Sequence, residues 1–116
     1  MQVIQLQGND KRLYELVAPL VMNPEVLRQN HNYPFRTTEN FAWFIGMEKK
    51  NVIGFIPVEH KKKEYIINNY YVKDNKEETL KLLLEKVISE TNADVNLTSV
   101  TFIEHRQVFK ELGFSE

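Results

Sequence analysis

The chain has 116 residues, and 15 Lys plus Arg stand against 16 Asp plus Glu for a formal charge of −1, with no cysteine. Its length suits one compact domain that buries roughly two-thirds of the surface its unfolded chain exposes, and a hydrophobic fraction of 42% argues against disorder. Without cysteine there are no disulfides, thiolate metal sites or cysteine nucleophiles. The near-neutral charge removes the usual electrostatic footprint of a nucleic-acid binder. No stretch approaches the roughly 18 apolar residues of a membrane span, and the first residues lack the basic-then-apolar pattern of a secretion signal, so a cytoplasmic location is expected. No repeat, low-complexity tract or linker divides the chain, which predicts a single domain over residues 1–116.

Val3-Ile4-Gln5-Leu6-Gln7 alternates apolar with polar and predicts a first strand. Gly8-Asn9-Asp10 follows as turn and helix cap, with Asn9 or Asp10 as the N-cap. Leu13, Leu16, Val17, Leu20 and Val21 then recur at helical spacing, with Pro19 as a kink or end. Asn23-Pro24-Glu25 supplies a cap, a first-turn proline and a first-turn acid for a second short helix running from Pro24 towards His31. Asn32-Tyr33-Pro34 breaks it.

The period then changes. Phe41–Met47 and Val52–Val58 are apolar, aromatic and β-branched runs joined by Glu48-Lys49-Lys50-Asn51, the pattern of a hairpin. After the polar turn His60–Glu64, Tyr65–Val72 completes three antiparallel strands. Asn75 followed by Glu78 approximates a capping box. It opens a long helix with apolar positions Leu80, Leu83, Leu84, Val87 and Ile88, and Leu82 extends the buried face. Ala93–Val100 alternates as a further strand. Val108, Phe109 and Leu112 mark a short helix from about Glu104 to its C-cap at Gly113.

The predicted order is β-α-α-β-β-β-α-β-α, an α/β (α+β) domain with a mixed central sheet flanked by helices. In this order the segments Val108-Phe109-Lys110-Glu111-Leu112-Gly113-Phe114 and Asn51-Val52-Ile53-Gly54-Phe55 resemble motifs of the GNAT N-acetyltransferases. The resemblance spans almost the whole chain. It implies a GNAT-like fold with its C-terminal strands missing or truncated, acetyl-CoA or another acyl-CoA as cofactor, and acyl transfer to a small amine or peptide amine. It places the cofactor on Tyr71, Val72, Lys73, Asn75, Lys76 and Phe109, with Tyr71 and Val72 acting through backbone hydrogen bonds.

Two positions depart from the family pattern. The loop Lys73–Thr79, where the family places glycines against the pyrophosphate, has no glycine and carries Asp74, Glu77 and Glu78. These acids suit the positive end of a helix by themselves and oppose an incoming anion, while Lys73 and Lys76 partly compensate. Phe109 stands where the family has a tyrosine that protonates the departing thiolate, and phenylalanine cannot donate a proton. Water, Tyr70 or Tyr71 would have to substitute.

The candidate bases for the acceptor amine are Glu59 and His105, with water as the third option. Glu104 neighbours His105 but points elsewhere on the helix, and so does not orient it. For His31 and His60, capping or solvated roles outweigh metal binding, because no ligand cluster surrounds them and no metal is expected. Lys61-Lys62-Lys63, between Glu59 and Glu64, suits a solvated turn better than a phosphate-binding patch, and nucleic acid is not an expected partner. Trp43, Phe44, Phe55, Tyr65, Tyr70 and Tyr71 crowd the central strands, suiting core plus a subunit interface more readily than a ligand cleft. Asn68 and Asn69 interrupt an otherwise apolar strand, leaving backbone for a ligand or a partner strand. Two functions remain open: an acyl-CoA-dependent N-acyltransferase, and a non-catalytic binding or oligomerisation module with a homo-oligomeric or protein partner.

Overall fold

Asp10 starts the first helix, its Oδ1 accepting from the Arg12 backbone N–H at 2.8 Å. Such a cap stabilises a helix start by about 1 kcal/mol. The computed structural model describes residues 1–30, 34–91, 95–99 and 105–114. Its elements are β1 (Gln2–Gln7), α1 (Lys11–Val21), α2 (Pro24–Gln29), β2 (Phe41–Glu48), β3 (Asn51–His60), β4 (Glu64–Ile67), β5 (Tyr71–Val72), α3 (Glu77–Ser89), β6 (Asn96–Ser99) and α4 (Arg106–Glu111). Helix α1 runs through Pro19 to Val21. Asn23 caps α2, accepting from the Glu25 N–H at 2.9 Å. The sequence readings at His31, Asn32, Tyr33, Ala93, Val100 and Glu104 lie outside the described residues.

The strands form one sheet in the order β1-β2-β3-β4-β6, with β5 also paired to β3. All neighbours are antiparallel except β4 and β6, which run parallel with Tyr65 opposite Leu97. Helix α3 makes the crossover that a parallel pair requires. Alternation along β2 sends Trp43 and Ile45 to one face, with Leu13, Val17, Val26, Phe55 and Tyr71. Ala42 and Phe44 go to the other, with Ile56, Val72, Leu83, Leu84 and Phe109. The domain is therefore three layers: α1 and α2, the sheet, then α3 and α4.

Three sequence expectations change, and the expected core role of the central aromatic residues holds. Leu82 and Ile88 do not belong to the buried stripe of α3, being 49% and 37% exposed, because they flank the Leu80-Leu83-Leu84-Val87 face. The aromatic residues Trp43, Phe44, Phe55, Tyr70 and Tyr71 are all interior, none more than 9% exposed, and serve as core. His60 is the last residue of β3, not part of a solvated turn, and its ring stacks on Tyr65 at 3.9 Å. The run Tyr65–Val72 is not one strand but two short ones separated at Asn68–Tyr70.

Burial of the His60 ring lowers its pKa from the ordinary histidine value. The neutral ring is thus favoured in the folded state, and its contribution is complete above about pH 6.5. It is lost as pH falls through the lower folded-state value. Thermal unfolding scans across this range are expected to show a stability loss on acidification that is smaller in His60→Gln. An identical pH profile in the variant would contradict this assignment.

Candidate functional site

The break at Asn68–Tyr70 has a register signature. From the Phe55–Tyr71 pair to the Glu59–Ile66 pair, β3 advances four residues while its partner covers five. One extra residue is inserted, as in a β-bulge. The insertion reverses the facing of everything after it. Ile67 and Tyr70 both face α3 and α4, and Tyr71 turns to the α1 and α2 side.

Buried polar groups hold the bulge. Asn30, the 4% exposed C-cap of α2, donates through Nδ2 to the Tyr70 carbonyl at 3.1 Å and accepts at Oδ1 from the Tyr70 N–H at 3.2 Å. Its Nδ2 also donates to the Val26 carbonyl at 3.1 Å. Asn69 Nδ2 donates to the Pro34 carbonyl at 3.3 Å. On the opposite face the Tyr70 hydroxyl lies 2.7 Å from His105 Nδ1, at the N-cap of α4. The sequence exposed the interruption at Asn68 and Asn69 but gave no sign of Asn30, which looks like any asparagine ending a short helix.

Among the described residues, strand β5 pairs with β3 alone. In an antiparallel pair, adjacent residues alternate between facing the partner strand and facing away, so one of Tyr71 and Val72 turns its N–H and C=O outward. Gly54, opposite Val72, keeps this spot narrow: a Cβ there would stand 2.8 Å from the Tyr71 carbonyl oxygen and 3.1 Å from Leu83.

The chain then makes a single 3-10 turn, Lys73–Asn75, in which Asp74 and Asn75 are left-handed at φ 56° and 57°. The family pattern places glycines in this loop. Aspartate and asparagine are among the non-glycine residues that best tolerate such a backbone, so the left-handed turn forms without glycine. The same conformation overturns the expected capping box. An N-cap is extended, and left-handed Asn75 belongs to the preceding turn. The N-cap of α3 is Lys76, whose side chain makes no capping hydrogen bond. Lys73, Asp74, Asn75, Lys76, Glu77 and Glu78 are all exposed here, with Thr79 and Leu80 buried behind them.

The remaining sequence candidates occupy different places. Phe109 is 3% exposed and packs its ring 5.8 Å from Tyr70 and 5.1 Å from Phe114. His105 is 1% exposed, its Nδ1 engaged with Tyr70. Glu59 is half-buried and shares with its cross-strand neighbour Phe41 the sheet face of Trp43 and Tyr71. It lies beside Ile66, just before the bulge. Burial pushes the Tyr71 phenol above the ordinary tyrosine value, and the Asp74 carboxylate adds to this, so Tyr71 remains a neutral O–H donor. On the same face a groove of about 400 Å³ opens between α1 and residues 35–37, lined by Leu13, Val17, Phe35 and Trp43. Its wall is fixed by Trp43 Nε1 donating to Thr37 Oγ1 at 3.0 Å and by Thr37 donating to the Gly8 carbonyl at 2.8 Å. Among the described residues no His, Asp or Glu cluster could hold a metal ion, and no helix is long and apolar enough to cross a membrane.

No family model and no curated protein matches the sequence. Solved structures do match in shape. Escherichia coli ElaA is similar with a TM-score of 0.78 at 12% identity, over 99% of this chain and 88% of that one. An aminoglycoside acetyltransferase from an uncultured soil metagenomic sample is similar at 0.70 and 20% identity, over 99% and 91%. The N-acetyl transferase YhhK from E. coli, solved bound to coenzyme A, is similar at 0.62 and 13% identity, over 99% and 91%.

Proposed function

Starting from a chain that has the GNAT N-acetyltransferase fold, we propose that it is an acyl-CoA-dependent N-acyltransferase. The observation that carries the reading is the continuous path from Tyr70 to Glu78. A bulge delivers a short strand with an outward edge, the strand runs into a left-handed turn, and the turn ends on a helix start whose N-cap, Lys76, makes no side-chain cap. Each part suits one part of the cofactor. The outward N–H and C=O of β5 suit the amides of the pantetheine arm, as an added strand would. The first N–H groups of α3, with Lys73 and Lys76, suit the pyrophosphate. Coenzyme A occupies the YhhK structure, which supports this class of ligand.

In the reaction the amine nitrogen attacks the thioester carbonyl. A C–N bond forms, the C–S bond breaks, and the electron pair leaves on the CoA thiolate while the nitrogen gives up a proton. Holding the two reactants side by side supplies much of the acceleration, and an N–H donor at the carbonyl oxygen stabilises the charge that develops there. We assign the proton acceptor to Glu59, which lies beside the bulge on the face that carries the groove. His105 holds the Tyr70 hydroxyl and acts through it. Phe109 shields the thiolate without protonating it, so the thiolate takes its proton from water. The acceptor is a small or peptide amine approaching from the α1 and α2 side.

A second reading has its own support: Asp74, Glu77 and Glu78 crowd the same helix start with negative charge, as suits a non-catalytic module that binds a protein partner or another copy of itself. Release of free thiol from acetyl-CoA, followed with a panel of primary amines and peptides, separates the two. The expected result is amine-dependent release that falls by about 10²–10⁴-fold in Glu59→Gln, the usual contribution of a general base. Absence of both turnover and acetyl-CoA binding at millimolar concentration would overturn the enzyme reading in favour of the module.

A further inference from the structure

Asn30 and Tyr70 are forty residues apart, yet the side-chain amide of one closes both backbone hydrogen bonds of the other. The geometry matches one rung of a strand ladder, with the carboxamide standing in for a peptide group. The rung falls at the bulge, where the regular ladder is interrupted. Tyr70 is wholly buried, and a buried backbone N–H or C=O left unsatisfied costs far more than an average hydrogen bond contributes. Asn30 is itself anchored by its bond to the Val26 carbonyl and by α2, whose Val26 is 3% exposed in the core. The phenol of Tyr70 is tied on the other face to His105. The bulge residue is thus fastened through its backbone to the α2 layer and through its side chain to the α4 layer.

We infer that Asn30 is a positioning residue for the acyl-CoA site, a role that rests on the function proposed above. By fixing Tyr70 it sets the phase of the next two residues, and hence which N–H and C=O of β5 face outward. With the amide removed, Tyr70 loses these two backbone hydrogen bonds, and β5 can slip back towards regular alternation with β4. That would turn Tyr71 to the wrong face and close the outward edge. Asn30 touches no reacting atom. It acts through the backbone of Tyr70.

The test compares Asn30→Ala with Val26→Ala, which weakens the same helix without removing a partner of Tyr70. Amide hydrogen exchange by NMR and calorimetric titration with acetyl-CoA are measured on both variants and on the unsubstituted protein. In Asn30→Ala the amides of Tyr70, Tyr71 and Val72 are expected to exchange at least tenfold faster relative to the rest of the sheet, with acetyl-CoA bound at least tenfold more weakly. In Val26→Ala protection falls evenly across the sheet and affinity stays within about twofold. Should Asn30→Ala not fold, Asn30→Ser, which can replace only one of the hydrogen bonds, is expected to show the same local pattern at smaller amplitude. If the unsubstituted protein binds acetyl-CoA and the Asn30 variants behave like Val26→Ala, the Asn30 assignment is overturned while the functional reading stands. If the unsubstituted protein does not bind acetyl-CoA, the functional reading fails and takes the ligand role of Asn30 with it; the exchange data then judge the clamp on the bulge alone.

Discussion

Phe55→Ala is expected to lower the free energy of unfolding by about 3–5 kcal/mol, the range for truncating a fully buried phenylalanine. Phe55 is completely buried, and its ring meets Phe35 at 5.2 Å, Trp43 at 5.3 Å and Tyr71 at 5.5 Å. It is thus the hub of the aromatic contacts on the α1 and α2 face. Aromatic pairs of this kind add roughly 0.5–1.5 kcal/mol each beyond the area they bury. A domain of this size has only about 5–15 kcal/mol to lose, so the variant stands close to unfolding. Phe55 also pairs with Tyr71 across the strands, and the loss should spread to β5. Urea denaturation measures the effect, and a change below about 1 kcal/mol would show that the site collapses around the missing ring, against the packing described here.

The second large effect is on binding and leaves the fold almost untouched. Reversing both lysines, Lys73→Glu with Lys76→Glu, is expected to weaken acetyl-CoA binding by about a hundredfold. A unit charge about 5 Å from a phosphate charge in water contributes roughly 0.8 kcal/mol. Reversal counts twice, so two lysines together reach about 3 kcal/mol. Both side chains are exposed, and stability should change by less than about 1 kcal/mol. Its sign is favourable, because Lys76 stands at the helix start where negative charge suits the dipole. Neutralising the carboxylates, as Asp74→Asn, Glu77→Gln and Glu78→Gln, should act in the opposite sense, with tighter binding and a slightly less stable α3. The effect of the lysine reversal shrinks as salt rises, since these charges are screened over about 10 Å at 0.1 M. An affinity unchanged by the reversal at low salt would place the pyrophosphate elsewhere.

The elements that periodicity governs were legible in the sequence. Helix α3 follows from its leucine spacing, the β2–β3 hairpin from two apolar runs around a charged turn, and the end of α4 from Gly113, which adopts φ 99°. Period alone could not place the bulge. Ile67 and Tyr71 are four residues apart and by strict alternation would share a face, yet they pack in different layers. A polar side chain from another part of the chain, Asn30, closes the backbone hydrogen bonds of the bulge residue Tyr70.

The conformation of the loop at residues 73–76 was not legible for a related reason. Glycine is the residue that most readily becomes left-handed, but the turn requires a conformation, and Asp74 and Asn75 reach it. His60 was misplaced because a strand can continue through a polar residue when the ring opposite, here Tyr65, covers it. The resemblance singled out Tyr71, Val72, Lys73, Asn75 and Lys76 as one stretch of chain. The backbone that unites them was not, because it depends on hydrogen bonds between distant segments.

The central claim is that the outward edge of β5 and the start of α3 together hold an acyl-CoA. The most direct measurement is a calorimetric titration at low salt with acetyl-CoA alongside acetyl-pantetheine, which keeps the thioester and its arm but lacks the pyrophosphate and nucleotide. Saturable binding of acetyl-CoA is expected, with acetyl-pantetheine at least tenfold weaker, because the charges at Lys73, Lys76 and the α3 start then have nothing to meet. No binding of either at millimolar concentration, or equal affinity for both, would contradict it.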